Sequence, residues 1–463
     1  MDTQPTSQYL GDGLVMRWST PADAPNISRC AGRVYNNSNS PTLNEVAMAR
    51  TARLLRGDSP FMSPNDFAII IDASQEDQPV VAFAGLWKHT IRYDGIACPV
   101  GRLEYVGTLE AYRNHGLSRK LIEFVHAWSA ARGDLVQILT GIPWFYRQFG
   151  YEYGYDRGDI VSTLINAIPK LKDGDLETCF LREANLADVP TLIDLFNTDR
   201  NNSSLWLDMP SGFLEYLIVG HQHSRADLRL DHTHRVYVVM DLPLWRNAEG
   251  RIVGFVVASN QRQGGVLEIT HVGFSEDLYI PDVIPSLLRA IHAAATSTAV
   301  QGNPGLTAIQ WIIPASSRFR AALPPSLTVP STTEHCNHTY FRVPDLVRFL
   351  CSVVPALDAR LARSRVYKSY TGKLAISFYD RHVPGVFIAV DRGRVVAVEE
   401  LARGLEGNAR FPPLTFLQVL FGRRSVGELK HVFPDIEVAS PEVEGLIGEL
   451  FPSGRSEMAT FFT

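Results

Sequence analysis

The alternation of apolar and polar positions predicts a chain in which strands and helices follow one another. Apolar runs typical of buried strands span 67–71 and 80–86, and again 236–240 and 252–257. Apolar residues at helical spacing, clearest over 189–196, lie between such runs. The pattern favours an α/β (α+β) fold in which helices pack on sheets.

The first two thirds of the chain contain an internal repeat. Segment 16–23 has the pattern apolar-Arg-x-x-x-x-Ala-Asp, and segment 181–188 repeats it 165 positions later. The strands predicted to begin at Leu103 and Leu267 fall at nearly the same offset, and each leads to a helix. Features that keep one register indicate two related α/β domains. We expect the Asp that closes each copy to lie at a helix start, where a carboxylate suits the exposed N–H groups.

A third region follows a connection at 313–340 that is rich in proline, serine and threonine. It combines helical spacing from Leu346, an apolar hairpin over 386–398 and short apolar helices beyond 414. The last six residues, 458–463, are apolar and uncharged, so we expect them to dock on the protein. The predicted domains are 1–165, 166–334 and 335–463.

Composition excludes several classes of protein. Of the 463 residues, 45% are hydrophobic and 20% charged, which is typical of a globular protein and not of a disordered one. Lys and Arg number 44 against 49 Asp and Glu, for a net charge of −5, and no long run of like charge occurs. We therefore expect neither nucleic acid nor a membrane as a partner.

The cysteines and the chain start bear on location. The five cysteines, at 30, 98, 179, 336 and 351, are never spaced as CxxC, so we expect buried thiols in a reducing compartment rather than disulfides or a zinc site. The cluster at 334–338, with two histidines, is not expected to hold a metal. The chain opens without a basic segment followed by an apolar core, and the apolar stretch 283–300 is broken by Arg289 and His292. These features predict a cytoplasmic protein.

The stretch 103–123 has the pattern of strand, tight loop and helix. Gly116 and the small Ser118 open the helix, where unpaired backbone N–H groups and the helix dipole favour an anion. Arg113 and Arg119 add positive charge. The stretch therefore predicts a pyrophosphate-binding loop, although by itself it is equally typical of a helix start with solvated basic side chains. GxGxxG and GxxxxGK[ST] are both absent, which disfavours dinucleotide and P-loop sites.

A second stretch, 141–151, follows the apolar strand predicted at 135–139 and is rich in aromatic residues and glycine. Such a segment can be plain core. Together, the two stretches resemble the acyl-CoA loop and the Phe-Tyr-x-x-Phe-Gly-Tyr segment of the GNAT N-acetyltransferases. The whole chain, including 414–425, resembles the Eis (enhanced intracellular survival) group. That resemblance implies two tandem GNAT domains followed by a sterol-carrier-protein-like α+β domain.

The resemblance also implies a set of functional residues. Acetyl-CoA would be the co-substrate, with its pantetheine on the strand and its pyrophosphate on the loop, and no metal would take part. The implied CoA-binding residues are Val106, Gly107, Thr108, Arg113, Asn114, His115, Gly116, Leu117, Ser118, Arg119, Gly141 and Ile142. The implied catalytic residues are Tyr146 as general acid and Thr463, through its terminal carboxylate, as base.

Acetyl transfer from a thioester to an amine needs a proton for the departing sulfur and a deprotonated amine. A tyrosine with a pKa of about 10 is close to a thiol of about 8.5, so we expect Tyr146 to donate without a large pKa shift; packing is its alternative role. An α-carboxyl with a pKa near 3.5 is a weak base, so Thr463 can act through water or bind a cationic substrate. Glu104 and Glu110 are the competing bases.

The second copy serves as an internal control. Its counterpart stretch, 270–282, lacks the Arg-x-x-Gly-x-small pattern and carries acidic residues, which predicts one acetyl-CoA per chain. The resemblance implies a small-molecule amine of aminoglycoside or polyamine type, or a lysine-bearing acceptor, and a homo-oligomer such as a hexamer. The alternative function is a non-enzymatic protein whose third domain binds a lipid or another small ligand.

Overall fold

The computed structural model describes residues 7–36, 42–57, 59–200, 203–223, 234–242, 250–297, 305–331, 338–380 and 382–458. The strands, in chain order, are β1 Gln8–Gly11, β2 Leu14–Trp18, β3 Phe67–Asp72, β4 Val80–Tyr93, β5 Ile96–Thr108, β6 Val136–Leu139, β7 Glu152–Asp156, β8 Val161–Leu164, β9 Cys179–Glu183, β10 Leu205–Leu207, β11 His234–Asp241, β12 Ile252–Gln263, β13 Val266–Phe274, β14 Ala308–Trp311, β15 Val329–Pro330, β16 His338–Arg342, β17 Gly372–Phe378, β18 Gly385–Asp391, β19 Arg394–Leu401, β20 Ala409–Phe411, β21 Glu437–Val438 and β22 Ser456–Glu457. The α-helices are α1 Ala24–Val34, α2 Glu45–Leu54, α3 Leu117–Ala131, α4 Val189–Arg200, α5 Ser211–His223, α6 Ile280–Ser297, α7 Arg318–Ala322, α8 Leu346–Arg363, α9 Phe416–Leu420, α10 Val426–Val432 and α11 Pro441–Leu450. The predicted α/β class is confirmed.

Two sheets repeat one plan. The first has the order β1-β2-β3-β4-β5-β6-β16-β7, with β10 on β4 and β22 on β10, and the second has the order β15-β8-β14-β13-β12-β11-β9. In each, an antiparallel meander ends in a strand that pairs in parallel with the next, β5 with β6 and β13 with β14. The connecting helices are α3 and α6. The predicted strand at Leu103 starts earlier, at Ile96, because the residues before Leu103 already pair with β4.

Two strands, β8 and β16, pair across the predicted domain boundaries. β16 lies between β6 and β7 and so completes the first sheet, whereas β8 lies between β14 and β15 and completes the second. Sheet membership therefore crosses the predicted domain boundaries: residues 161–164 pair in the second sheet, and residues 338–342 pair in the first. Apolar periodicity could not show this, because it reports that a strand is buried and not which neighbour it pairs with.

The Arg and Asp of the sequence repeat form the same ion pair in both copies. The Arg17 guanidinium donates two hydrogen bonds to the Asp23 carboxylate, at 2.8 and 2.7 Å, and Arg182 donates two to Asp188, both at 2.8 Å. Each carboxylate also accepts a backbone N–H three residues before it, at 2.8 Å. Each Asp ends a short 3₁₀ turn that leads directly into α1 or α4, which confirms the expected helix starts.

A third sheet, in the order β19-β18-β17-β20-β21, packs with α8 and α11 into a C-terminal unit. This unit docks on the first sheet through a buried cation. Arg360 of α8 donates to the Asp94 carboxylate at 2.7 Å and to the Tyr93 hydroxyl at 3.0 Å. The rings of Phe341 and Phe421 pack across the same junction, 4.4 Å apart. The likeness of this unit to a sterol-carrier protein stays a prediction.

The chain then returns to the first sheet. β22 pairs in parallel with β10, and the side chain of Glu457 is fully buried there. Its carboxylate lies 3.6 Å from Nε of Arg200, accepts a hydrogen bond of 3.3 Å from the Ser203 hydroxyl, and contacts the Arg455 guanidinium. Met458 is buried as well, so the chain is docked up to that residue. The rest of the segment predicted to dock, 459–463, lies outside the described residues.

The cysteines differ in one case from expectation. Cys30, Cys98 and Cys179 are buried, whereas Cys351 is exposed because its neighbours Leu350 and Val353 occupy the buried face of α8. Cys336 and the rest of 334–337 lie outside the described residues. In the part of the chain that the structure describes, no group of three His, Cys, Asp or Glu side chains could hold a metal ion. Over the same residues, every helix is too short or too polar to span a membrane.

We predict that Glu457→Ala lowers the free energy of unfolding by about 3 kcal/mol, because it leaves the guanidinium of Arg200, only 2% exposed, buried without its carboxylate. The matched control is Glu406→Ala. The Glu406 side chain is 81% exposed and pairs with Arg410, so its loss should cost less than about 1 kcal/mol. Denaturant unfolding measures both values, and equal stability of the two variants would contradict the prediction.

Candidate active site

A cleft opens where β5 and β6 separate. The two strands pair in parallel from Val100 and Val136 as far as Arg102 and Ile138. Beyond that point β6 continues to pair with β16 on its other side. Residues of β5 and of the segment after β6 then face each other across a cleft of about 470 Å³.

The separation coincides with a bulge in β5. The pairing with β4 shifts register between the pairs Gly85–Glu104 and Phe83–Gly107, so β5 carries one extra residue there. Tyr105, inside the bulge, has a φ of 57°, in the left-handed region that a bulky residue rarely adopts. The bulge turns the strand away from β6 and exposes its edge to the cleft.

Helices α1 and α2 form the outer wall of the cleft. The Tyr105 hydroxyl donates to the carbonyl of Ala47 in α2 at 3.4 Å, and the hydroxyl of Tyr35, just after α1, donates to the Val106 carbonyl at 3.1 Å. Arg50 of α2 also lines the cleft, with its guanidinium carbon 5.2 Å from the centre of the Tyr105 ring. The bulge is thus held against both helices.

Tyr146 lines the cleft from the 3₁₀ turn Phe145–Phe149. The turn follows Trp144, which has a φ of 67°. The Tyr146 ring packs edge-on against Phe145, with centroids 5.0 Å apart, and against Tyr340 of β16, with centroids 5.7 Å apart. Burial, and secondarily the charge of Glu104, raises the pKa of Tyr146 to about 12. The sequence predicts that Tyr146 has a pKa close to that of a thiol, and burial makes this prediction wrong.

The loop before α3 has the geometry of an anion site. Gly116 has a φ of 71° and Asn114 a φ of 65°, so the chain turns sharply before α3 begins. Among the described residues no side chain caps the helix. The N–H groups of Leu117, Ser118 and Arg119 are in the first turn and have no partner inside the helix. Such an uncapped helix start fits a phosphate.

The side chains of the loop connect it to β5 and to the turn of Tyr146. The hydroxyls of Ser118 and Thr108 lie 3.1 Å apart, and Nε of Arg113 donates to the Thr108 carbonyl at 3.3 Å. The Arg119 guanidinium donates to Oε1 of Gln148 at 2.5 Å. Asn114 and His115 are exposed, as are Arg113, Gly116 and Arg119. Cations and N–H groups therefore share one solvent-facing surface.

The structure brings together predicted residues that are distant in sequence. Val106, Gly141, Ile142 and Tyr146 line the cleft. Gly107 and Thr108 lie beside it but pair with β4, which uses part of their backbone hydrogen-bonding capacity. Thr463 lies outside the described residues.

Sequence reasoning missed several lining residues, among them Tyr35, Asn44, Arg50 and Thr140. It also missed Tyr340, whose hydroxyl donates to that of Tyr153 at 2.7 Å behind the Tyr146 ring. No motif marks these positions. The only available signal was the shared helical face of 46, 47 and 50, which is equally typical of a helix that packs on a core.

The corresponding space in the second sheet is filled. The ring of Phe319, in α7, stacks on Phe274 at 5.5 Å and lies 4.8 Å from Trp311 at the end of β14. The neighbouring Arg318 pairs with Asp199 at 3.2 Å. Its guanidinium also lies 3.5 Å from the carbonyl of Ser275 in the loop before α6. A cation and an aromatic side chain of this protein therefore occupy the region that is open in the first sheet.

Comparison with known proteins gives a consistent result. Residues 16–154 match the model of the acetyltransferase (GNAT) domain, which implies acetyl-CoA as co-substrate. No curated protein matches the sequence.

Solved structures share the fold over nearly the whole chain. A conserved protein from Enterococcus faecalis V583, described as a probable N-acyltransferase, has a TM-score of 0.66 at 12% identity, covering 97% of this chain and 100% of that one. A GCN5-related N-acetyltransferase from Anabaena variabilis ATCC 29413 has a TM-score of 0.65 at 12% identity with the same coverage. Eis1 from Mycobacterium abscessus has a TM-score of 0.57 at 13% identity, covering 96% of this chain and 100% of that one. At these identities the likeness is one of fold.

We predict that Gly141→Ala lowers the free energy of unfolding by about 1–3 kcal/mol, because the new Cβ would lie 2.6 Å from Cε2 of the packed Tyr146 ring. Gly448→Ala is the control. A Cβ at Gly448, inside α11, meets nothing within 4 Å and should stabilise the helix by about 0.5–1 kcal/mol. Denaturant unfolding of both variants checks the prediction, and a Gly141→Ala protein as stable as the parent would refute it.

Proposed function

We propose that this protein is an acetyl-CoA-dependent N-acetyltransferase that transfers acetyl to an amine. The observation that carries the proposal is the opening between β5 and β6, which is lined by Tyr146, together with the uncapped start of α3, whose Ser118 contacts Thr108 at the end of β5. A molecule with a pyrophosphate and a reactive thioester fits such an elongated arrangement. The GNAT match over 16–154 supports the same assignment.

In this proposal the loop holds the pyrophosphate. The N–H groups of residues 114–119 and the guanidinium groups of Arg113 and Arg119 supply hydrogen bonds and positive charge. The pantetheine arm lies along the edge of β5 at residues 106–108, with Gly141 and Ile142 on the other side. Glycine at 141 lets the ring of Tyr146 approach the backbone there.

The reaction forms a bond between the amine nitrogen and the acetyl carbon, and it breaks the bond between that carbon and sulfur. Tyr146 is proposed to stabilise the departing sulfur. With a pKa of about 12, the phenol keeps its proton against a thiol of about 8.5, and full transfer would be uphill by about 5 kcal/mol. Tyr146 therefore acts chiefly as a hydrogen-bond donor to the sulfur, which leaves as the thiolate. The proton lost by the amine nitrogen goes to the base, and the thiolate takes up a proton from water.

Three groups are candidates for the base. Glu104 lines the cleft, but its carboxylate is already engaged in an ion pair with the buried Arg102 guanidinium. The alternative is the carboxylate of Thr463. The last described residue before it, Met458, is buried, and its backbone contacts the Tyr155 hydroxyl in β7, the strand beside β16. Glu110 is exposed and does not line the cleft, which makes it the weakest of the three candidates.

The resemblance implies aminoglycoside or polyamine-like amines and lysine side chains as acceptors, and the charges that line the cleft decide among these classes. The homo-oligomeric state, the cytoplasmic location and the sterol-carrier-like assignment of the C-terminal unit remain part of the proposal. The competing proposal is a non-enzymatic protein whose C-terminal unit binds a lipid or another small ligand. Under that proposal the protein does not consume acetyl-CoA.

We predict that Tyr146→Phe lowers kcat by about 10²–10³-fold, with the Kd for acetyl-CoA changed less than about threefold, because only the hydrogen bond to sulfur is removed. Thiol release across a panel of amines measures kcat, and calorimetry measures Kd. Because the raised pKa keeps Tyr146 protonated, the parent should show no loss of activity from this group up to pH 10. Tyr379→Phe, whose hydroxyl contacts the Asp435 carbonyl in the C-terminal unit, should behave as the parent. If acetyl-CoA binds but no amine in the panel causes thiol release, the proposed acetyltransferase activity is refuted.

We predict one acetyl-CoA per chain. The loop before α6 carries the exposed acids Glu276 and Asp277, and the first turn of α6 carries the exposed Asp282; these charges repel a pyrophosphate, and α7 fills the adjoining space. Calorimetric titration should give a stoichiometry of one, and Arg119→Glu, in the first turn of α3, should abolish the binding of acetyl-CoA. Two equivalent sites, or one that survives Arg119→Glu, would contradict the assignment.

A further inference from the structure

One residue, Arg50, sets the charge of the described cleft lining. Two ionic side chains line the described part of the cleft, Glu104 and Arg50. The Glu104 carboxylate is neutralised by Arg102, whose side chain is only 3% exposed. Arg50 has no described carboxylate within ion-pair distance, and its buried Nε has no hydrogen-bond partner among the described residues. Its positive charge therefore remains available to a ligand.

The position of Arg50 is fixed by its surroundings. It follows Val46 and Ala47 by four and three residues on α2, so the three residues share the face that lines the cleft. Its guanidinium lies over the Tyr105 ring, at 5.2 Å, which restricts the planar group without using up its hydrogen-bond donors. Asn44, the other polar residue at this end, is already committed as the cap of α2, accepting from the Ala47 N–H at 3.0 Å.

The cleft offers a second unsatisfied polar atom. Oγ1 of Thr140 is buried and has no partner among the described residues. Thr140 lies on the β6 side and Arg50 on the α2 side, so the two face the same space from opposite walls. Between them the lining is aromatic or aliphatic, with Tyr35, Val46 and Ile142. Such a surface fits a ligand with an apolar body and one anionic group.

We infer that the amine acceptor carries a carboxylate, which Arg50 binds through its guanidinium fork, and that the cleft discriminates against polycations. The inference rests on the proposed acetyl transfer. Charge-assisted bonds from arginine to a carboxylate are bidentate and strong, whereas a second ammonium group placed beside Arg50 is repelled. The same positive charge favours the neutral, nucleophilic form of the reacting amine.

Acceptors matched in length test the inference. The panel consists of 6-aminohexanoate, hexylamine and 1,6-diaminohexane, together with phenylalanine and 2-phenylethylamine, which differ in one carboxylate. We expect the parent enzyme to favour the carboxylate member of each set by at least about tenfold in kcat/KM, the ratio typical of one charge-assisted hydrogen bond. Spermidine and tobramycin serve as polycationic members and should react more slowly than hexylamine.

Substitutions assign the preference to Arg50. Arg50→Gln should lower kcat/KM for the carboxylate members by about tenfold or more and change that for hexylamine less than about threefold. Arg50→Glu should reverse the order in favour of the diamine. Arg50→Lys, which keeps the charge without the fork, should lie between the parent and Arg50→Gln. Arg29→Gln, an exposed arginine on α1 outside the cleft lining, is the control and should match the parent.

The outcomes separate this inference from the proposed function. Turnover that favours polycations, or an Arg50→Gln variant that loses activity equally with every acceptor, would overturn the inference and leave the acetyltransferase in place. If Arg50→Gln loses activity equally with every acceptor and also binds acetyl-CoA more weakly, Arg50 binds the co-substrate and not the acceptor. Binding of acetyl-CoA without turnover of any amine would overturn the proposed function and this inference with it.

Discussion

Beyond Arg102 and Ile138 the backbones of β5 and β6 separate, and the candidate site depends on that loss of pairing. Backbone groups that leave a sheet must find other partners or face solvent. Here the bulge at Tyr105 directs the edge of β5 towards α1 and α2, and Tyr35 satisfies one of its carbonyls. The rest of the edge is open to the cleft. A strained backbone residue is thus kept because two helices hold it in place.

The cleft is also supported from segments far away in sequence. Tyr340, which packs against Tyr146, belongs to a strand that reaches the first sheet only after the second sheet's strands have been completed. The chain later returns again, and the buried Glu457 fixes β22 beside β10 through Arg200. The geometry of the candidate site therefore depends on β16 and β22, which both return to the first sheet from later parts of the chain.

The second sheet shows that a shared fold does not carry a shared site. Its strands follow the order of the first sheet, and its Arg182–Asp188 pair repeats Arg17–Asp23. At the position of the cleft, however, Phe319 packs between aromatic rings. Packing at that point distinguishes the two sheets, because a space filled by side chains cannot admit a ligand.

The sequence by itself determined the α/β class, the repeat, the loop before α3 and the aromatic turn of Tyr146, because strand and helix periodicity and glycine-rich turns are local properties. It did not determine that β8 pairs in the second sheet and β16 in the first, or that Arg50 lines the cleft and Tyr340 packs against Tyr146. Nor did it determine that burial raises the pKa of Tyr146 to about 12. Those features depend on which buried segments become neighbours. Local pattern specifies that a residue is buried, whereas only the tertiary structure decides which residue lies against it, and hence its charge environment and chemistry.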